Sequence, residues 1–493
     1  MPVSARGVGV VNVGARVVLE ASGVGAARPW PETRARAAAT AQTAEPERGP
    51  DVAGAALPFR PMPTPPLPWR DAALPPVAQR FCRYAEVWTT SDPASDAFPS
   101  TERQRDLGRL VVEELSALGL DAQEDEWGYV FATVPSPLTP DRARALPTVG
   151  LVAHLDTSPD APGENVRPLI HPGYDGGRVV LPGADDAVLD PGRQPMLREH
   201  VGHDLITSDG STLLGSDDKA GVAVIVQLAA DLVRSDAEAR QRGEPPAARP
   251  TLRLLFTPDE EVGRGTDKLE LGRWGADLGY TVDGGAVGTL NVETFNAAEA
   301  VVRFEGVGVH PGYAQGVMVN AARVAAAFVA ALPADQSPET TAGHQGYLHP
   351  HAVQASTETA TVRVLLRDFT DGGMADKRAL VRRLADEVGE AWGAGVLVEI
   401  VEGYRNMKRY IEAVDPRAIS VALDAARAAG LEARLEPVRG GTDGARLSER
   451  GVPTPNVFTG GFDFHSRFEW NTVQNLERTL GYVHHLVRQW GRA

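Results

Sequence analysis

The sequence predicts an α/β protein whose central sheet, flanked by helices, belongs to one domain that is interrupted by a smaller α+β domain. Short apolar runs such as TVGLVAHLD and TLRLLFTPDEE are typical of buried strands, and the helical DDKAGVAVIVQLAADLVR separates them. The pattern then changes to alternating strands such as TATVRVLLRDF, and it returns to helix, strand and helix near the end. We expect the first domain over residues 76–295 and 406–493, and the inserted domain over 296–405.

The first 75 residues are rich in Ala, Arg, Pro and Gly and show no sustained period. Such a segment buries too little apolar surface to offset its ordering entropy, so we expect residues 1–75 to be a disordered extension. Order is expected from Pro76. An amphipathic helix follows, with Thr101 and Gln104 as a capping box and Gly119 as its end.

Length, charge and cysteine content exclude several classes of protein. A chain of 493 residues is long enough for two or three domains. The formal net charge of −16 argues against nucleic acid, since phosphate binding needs clustered Lys and Arg. The single Cys82 rules out an internal disulfide or a zinc site made of several thiolates. Because no apolar run of about 18 residues and no signal peptide is visible, we expect a cytoplasmic location and no membrane partner.

Polar side chains follow several predicted strands at the point where each strand ends. His154 and Asp156 close one strand, and because they are two residues apart they share a face. A carboxylate beside a metal-binding imidazole can fix its tautomer and raise its basicity. Asp283 ends YTVDGG in the same way. Each cluster alone is more typical of an ordinary polar loop.

The tandem glutamates of FTPDEEVGRG point to opposite sides of the chain after a buried strand. Glu261 could then bind a metal while Glu260 faces a water as general base, although an acidic turn would have the same sequence. Asp217 and Asp218 could simply cap the next helix, or Asp217 could bridge two cations. His465 alone is more typical of a packed or surface histidine.

Taken together, five of these residues form a donor set for two divalent cations: His154, Asp217, Glu261, Asp283 and His465. Two imidazoles and three carboxylates, one of them shared, favour zinc or a similar ion over calcium. Two such ions can turn water into hydroxide near neutral pH and polarise a carbonyl.

Seven motifs in this order resemble the peptidase T family of tripeptide aminopeptidases, within the wider di-zinc aminoacylase and carboxypeptidase family. They are HLDTSPD, LLGSDDKAG, FTPDEEVGRG, YTVDGG, VHPGYAQGVMVNA, RDF and RGGTDGA, and the resemblance covers about residues 76–493. It implies a di-zinc exopeptidase-type catalytic domain with a mixed sheet, two zinc ions per subunit, and an inserted lid domain used for homodimerisation.

The resemblance also implies roles for single residues. His154 and Asp283 would hold one zinc, Glu261 and His465 the other, and Asp217 would bridge them. Asp156 would be the aspartate behind the first histidine, and Glu260 would be the general base. His310 would be a lid histidine that stabilises the oxyanion across the dimer interface. Three further residues would bind polar groups of the peptide: Asn320, Arg367 and Arg439. Ser216 stands where alanine is expected, a change that should leave Asp217 unaffected.

The sequence therefore predicts a zinc-dependent aminopeptidase that releases the N-terminal residue of short peptides, above all tripeptides. Glu260 would take a proton from the attacking water and return it to the leaving amine. The alternatives are a related di-zinc dipeptidase, carboxypeptidase or N-acyl amino acid hydrolase, and, in a different class, a non-catalytic peptide-binding protein.

Overall fold

A computed structural model describes residues 66–492 of the chain, and within them the backbone forms eighteen strands and eleven α-helices. The strands are β1 (Leu67–Pro68), β2 (Asp121–Glu124), β3 (Val130–Val134), β4 (Val149–His154), β5 (Leu169–His171), β6 (Val179–Val180), β7 (Val188–Leu189), β8 (Leu205–Thr207), β9 (Leu252–Thr257), β10 (Leu278–Gly284), β11 (Thr289–Asn291), β12 (Asn296–Glu305), β13 (Tyr347–Ala355), β14 (Thr359–Asp368), β15 (Gly395–Glu402), β16 (Arg434–Leu435), β17 (Asn456–Phe458) and β18 (Trp470–Thr472). The helices are α1 (Pro76–Ala85), α2 (Gln104–Ala117), α3 (Pro140–Arg144), α4 (Ser216–Gln241), α5 (Leu271–Trp274), α6 (Ala321–Ala331), α7 (Asp371–Trp392), α8 (Lys408–Val414), α9 (Arg417–Ala428), α10 (Asp443–Glu449) and α11 (Val473–Trp490).

The central sheet has eight strands in the order β16-β11-β17-β10-β4-β9-β3-β2. Its middle four strands, β17, β10, β4 and β9, run parallel, whereas β3 and β2 pair antiparallel on one side and β11 pairs antiparallel with β17 on the other. All six residues of β4 are buried, as expected for a parallel strand covered on both faces. The α/β fold class with a mixed sheet is confirmed.

Helix α4 lies at the centre of the main core, against β4 and β10 on one side and α1 and α11 on the other. Residues 219–229 of this helix are all buried, whichever way their side chains point. A helix that is apolar all round has no face to offer to water, so it must be enclosed by other elements. The start of α4 is thereby fixed beside the carboxyl ends of the parallel strands.

No helix within residues 66–492 is long and apolar enough to cross a bilayer.

A second sheet has four strands in the order β1-β5-β8-β18. Because it includes β1, ordered structure begins before Pro76, where the sequence predicts it to begin. Most of the expected extension, residues 1–65, lies outside the described residues, but residues 66–75 are described. Leu67 and Pro68 pair with β5, and the Trp69 indole packs on the core while its Nε1 donates to Glu86. The expectation of a disordered extension is therefore wrong for residues 66–75, because strand pairing and an aromatic anchor order this segment.

The inserted domain is the antiparallel sheet β13-β14-β12-β15 with α6 and α7 packed on one face. Its separate core includes Val302, Phe304, Val324 and Phe328, all fully buried. The sequence reading missed β13, an edge strand with a register irregularity next to Pro350. Proline is tolerated at edges and bulges, and the half-exposed residues of this strand give it no clear apolar alternation.

Candidate active site

The five expected donors come from five different segments that meet at one edge of the central sheet. His154 ends β4, Asp283 lies at the end of β10, and Glu261 follows β9. Because these three strands are neighbours and parallel, their carboxyl ends lie side by side. Asp217 lies at the start of α4, and His465 lies in the loop between β17 and β18.

Asp217 lies between the two histidines, and each of its carboxylate oxygens faces one of them. His154 Nε2 is 2.8 Å from Asp217 Oδ1 and 3.6 Å from Asp283 Oδ1. His465 Nε2 is 3.5 Å from Asp217 Oδ2 and 2.9 Å from Glu261 Oε2. The structure thus brings all five side chains together, in two groups of three that share Asp217.

The chemistry of this cluster fits a pair of divalent cations. Among the described residues, the buried Glu261 Oε1 has no hydrogen-bond partner. Burial and the Asp217 charge raise the pKa of Glu261 to about 8 and that of Asp283 to about 7, although His154 and other neighbours oppose the shift. Carboxylates this crowded repel one another, and a cation between them relieves that repulsion. Ligand atoms of His154, Asp217 and Glu261 all lie within 4.8 Å of one another, so the side chains assigned to the two groups are close enough to surround neighbouring cations.

Asp218 is close to the same cluster, yet its carboxylate is already hydrogen bonded to the backbone. Asp218 Oδ2 accepts from His154 N at 3.2 Å, and Oδ1 accepts from Gly221 N at 3.1 Å. One carboxylate thereby satisfies an N–H at the start of α4 and another at the end of β4. This is the capping role that its sequence position indicates. Its ligand atom nevertheless lies within 4.8 Å of those of His154 and Asp283.

Asp156 connects the first histidine to the tandem glutamates. His154 Nδ1 is 3.0 Å from the backbone oxygen of Asp156 and 3.5 Å from its carboxylate. The two carboxylate oxygens accept instead from the backbone N–H groups of Glu260 and Glu261, at 3.0 and 3.2 Å. The fully buried Asp156 therefore orients the imidazole through its backbone carbonyl and holds the glutamate turn through its side chain.

Glu260 lies beside this cluster in an environment that disfavours its ionised form. Burial, joined by the charges of Asp283, Asp443 and Glu261 and opposed by His154, raises the pKa of the Glu260 carboxyl well above its usual range. A raised pKa makes a carboxylate a stronger base. Asp443, in the RGGTDGA motif, was not singled out from the sequence; its Oδ2 accepts from Thr257 Oγ1 at 2.6 Å.

Sequence reasoning also missed a network centred on Asp259, the residue before Glu260. The buried Asp259 has φ +59° and accepts from Ser100 N at 2.7 Å, Gln104 Nε2 at 2.7 Å and Arg264 Nη2 at 3.0 Å. Gln104 Oε1 in turn accepts from Asp259 N at 3.0 Å. The expected capping box is wrong, because α2 begins at Gln104 itself with Arg103 as its N-cap, and the Gln104 amide nitrogen donates to Thr101 Oγ1 at 3.3 Å while its Oε1 accepts from Asp259 N rather than from Thr101 N.

Two of the expected lid residues make their contacts inside the inserted domain. His310 is exposed, and its Nδ1 accepts from Gly312 N at 3.1 Å. Asn320 caps α6, with Oδ1 accepting from Ala322 N at 3.0 Å and from Arg323 N at 3.4 Å. Neither His310 nor Asn320 makes these contacts with the five metal-ligating candidates.

Of the two expected substrate-binding arginines, Arg367 makes its contacts within the inserted domain, whereas Arg439 joins the two domains. Arg367 Nη1 donates to Ala298 O at 3.2 Å, and its guanidinium lies 5.7 Å from the Tyr404 ring centre. Arg439 donates to Gly343 O at 2.9 Å and Gln345 O at 2.8 Å, two carbonyls of a loop in the inserted domain. Its guanidinium is thus bound to the lid loop in this conformation.

Comparison with known proteins identifies the family. Peptidase T of Geobacillus sp. (strain WCH70) is 40% identical over 414 residues, which are 84% of this chain and 98% of that protein. Peptidase T of Bacillus subtilis (strain 168) is 39% identical over 416 residues, again 84% of this chain and 98% of that protein. This chain belongs to the peptidase T family. The resemblance seen in the seven motifs is confirmed.

Solved structures show the same fold at lower identity. The aminopeptidase PepT from Bacillus cereus ATCC 10987 has a TM-score of 0.63 and 21% identity, and the match covers 84% of this chain and 98% of that one. A tripeptidase from Staphylococcus aureus subsp. aureus Mu50 has a TM-score of 0.64 and 19% identity, covering 86% and 100%. Residues 292–394 of this peptidase T family member match a peptidase dimerisation domain, and they include most of the inserted domain.

Proposed function

We propose that this chain is a metal-dependent aminopeptidase that releases the N-terminal residue of short peptides, and of tripeptides above all. Membership of the peptidase T family supports the reaction class. The observation that carries the proposal is the position of Asp217, with one oxygen 2.8 Å from His154 Nε2 and the other 3.5 Å from His465 Nε2. A carboxylate shared in this way by two imidazoles suits two neighbouring cations.

Zinc is the proposed metal, two ions per subunit. His154, Asp217 and Asp283 would hold one ion, and His465, Glu261 and Asp217 the other. Imidazole nitrogen mixed with carboxylate oxygen suits zinc better than calcium or magnesium, which rarely take nitrogen ligands. When bound, such a pair of ions supplies a nucleophile from water near neutral pH and polarises the scissile carbonyl.

Glu260 is the proposed general base and acid. Its carboxylate accepts the proton of the attacking water as the bond to the peptide carbon forms, and it then donates that proton to the leaving amine as the peptide bond breaks. Its environment, buried and next to other carboxylates, raises its pKa and so strengthens it as a base. Asp156 holds the Glu260 backbone in place through the amide hydrogen bond at 3.0 Å.

The inserted domain, proposed over residues 296–405 between catalytic segments 76–295 and 406–493, would complete the site. The match to a dimerisation domain supports a homodimer formed through it. The exposed His310 would then stabilise the oxyanion in the active site of the partner subunit. A hydrogen bond from an imidazole N–H stabilises an oxyanion most strongly in a site from which water is excluded. Asn320, Arg367 and Arg439 are proposed to bind the polar groups of the peptide, with a guanidinium suited to its carboxylate.

The test compares Ala-Ala-Ala with its N-acetylated form, using protein stripped by a chelator and protein to which zinc is returned. We expect hydrolysis only of the free peptide, release of alanine and the dipeptide, and loss of turnover without metal. Cleavage of the acetylated peptide would contradict an aminopeptidase and favour an N-acyl hydrolase or carboxypeptidase. Hydrolysis that survives complete metal removal would contradict the dinuclear site.

A further inference from the structure

Glu469 is a buried carboxylate that no part of the mechanism above uses. It is 1% exposed and lies four residues after His465. Its oxygens accept three backbone hydrogen bonds from residues on either side of the start of α4. Oε2 accepts from Leu214 N at 2.9 Å and from Gly215 N at 2.8 Å, and Oε1 accepts from Asp217 N at 3.0 Å.

The turn that carries Asp217 cannot hold its own conformation through helical hydrogen bonds. Gly215 has φ +81°, and Asp217 and Asp218 have ψ values of 107° and 32°, both outside the helical range. The N–H groups of such a turn have no acceptor in the helix that follows, and a buried N–H without a partner is costly. Glu469 supplies the missing acceptors, and hydrogen bonds to a carboxylate are stronger than those between neutral groups.

The same residue joins this turn to the loop that carries His465. Phe462 and Trp470 exchange backbone hydrogen bonds of 2.9 and 3.1 Å, which close the loop at its base, and Glu469 lies directly beside that closure. A neighbouring bond reinforces the joint, because Asn471 Nδ2 donates to Ser216 Oγ at 2.8 Å. Ser216 is the residue that stands where alanine is expected, and its hydroxyl is satisfied by this bond.

We propose that Glu469 is a positioning residue for the dinuclear metal site: it fixes the Asp217 turn against the His465 loop, so that the shared carboxylate faces both imidazoles at once. The proposal rests on the proposed function, since it concerns the ligands assigned there. Glu469 is not one of the five proposed ligands, and its carboxylate accepts from backbone N–H groups of Leu214, Gly215 and Asp217. Glu469 positions Asp217 through a hydrogen bond to the Asp217 backbone, and it positions His465 because it lies only four residues away in the same loop.

The test measures Co²⁺ binding to chelator-stripped protein by calorimetry and by the visible absorption of the bound ion. Glu469→Gln keeps the size of the side chain but turns an NH₂ group toward an N–H donor. Glu469→Asp keeps the charge but is one methylene too short to reach all three N–H groups. We expect both variants to bind at least one of two Co²⁺ equivalents about 10- to 100-fold more weakly than the wild type, with an altered absorption spectrum.

Asp236→Asn is the matched control, because Asp236 is a buried carboxylate at the other end of the same helix. It pairs with Arg249 at 2.7 Å, and its loss should lower Tm without changing Co²⁺ affinity. Wild-type affinity and spectrum in both Glu469 variants would overturn the proposal, as would an equal loss of affinity in the control. Loss of folding in both Glu469 variants would assign the residue to fold stability and overturn it too. Failure of the wild type itself to bind two equivalents would instead contradict the proposed function.

Discussion

Replacing Asp259 with Asn should weaken both the fold and catalysis, because this side chain holds the turn that presents Glu260 and Glu261. Asn tolerates the left-handed φ of +59°, so the backbone itself adds little strain. What changes is the set of hydrogen bonds. The carboxylate accepts from Ser100 N and Gln104 Nε2, each at 2.7 Å, and from Arg264 Nη2 at 3.0 Å.

The size of the effect follows from this count. A hydrogen bond to a charged group is worth about 1.5–3 kcal/mol, and a buried donor left unpaired costs about 1–3 kcal/mol. Asn keeps one acceptor oxygen, loses the charge, and turns an NH₂ toward a donor. We therefore expect the free energy of unfolding to fall by about 2–4 kcal/mol. If the turn relaxes by about 1 Å, kcat should fall about 100-fold.

The assay is urea denaturation of the purified protein together with kcat and KM on Ala-Ala-Ala. Asp141→Asn is the control, because the Asp141 side chain is 92% exposed and should change neither quantity. The reasoning is refuted if Asp259→Asn costs less than about 0.5 kcal/mol while kcat stays at the wild-type value. A large loss of stability with unchanged kcat would separate the fold from the positioning of Glu260.

Three further predictions concern the base, the sheet and the lid. Glu260→Gln should lower kcat at least about 100-fold yet leave two zinc ions bound, as measured by elemental analysis; loss of zinc would contradict its role as base. Gly150→Ala would place a Cβ 2.1 Å from the Trp274 ring and should lower the free energy of unfolding by about 1–3 kcal/mol. Gly272→Ala is the control, because a Cβ there meets nothing within 4 Å and should leave the stability unchanged. Equal stabilities of the two variants would refute the packing argument. Arg439→Ala removes the donor to the Gly343 and Gln345 carbonyls and should speed amide exchange in residues 341–345; unchanged exchange would mean that this contact does not hold the loop.

The sheet and the positions of three candidate ligands could be predicted from the sequence because both depend on simple rules. Apolar runs that end in His154, Glu261 and Asp283 predict parallel strands whose carboxyl ends share an edge, and the structure places all three there. The spacing of His154 and Asp156 likewise indicated a shared role. Asp217 and His465 had weaker local signals, since an aspartate at a helix start is also typical of a cap and a lone histidine is more typical of a packed or surface position; the family motifs then implied a role for each.

The parts that sequence reasoning missed depend on partners far apart in the chain. Gln104 and Asp259 bond each other across 155 positions, and Gln104 alone has the spacing of a helix cap. Glu469 binds backbone N–H groups, and these carry no signature in the side chains of residues 214–217. Arg439 finds its acceptors 96 and 94 positions away. Such contacts are set by tertiary packing rather than by periodicity or composition.

The central claim is that five side chains hold two divalent ions side by side, with Asp217 between them. The most direct test is an anomalous difference map, collected at the zinc absorption edge, from crystals of zinc-loaded protein. We expect two peaks, one contacted by His154 and Asp283 and the other by His465 and Glu261, with Asp217 contacting both. A single peak, or peaks that Asp217 does not bridge, would contradict the account.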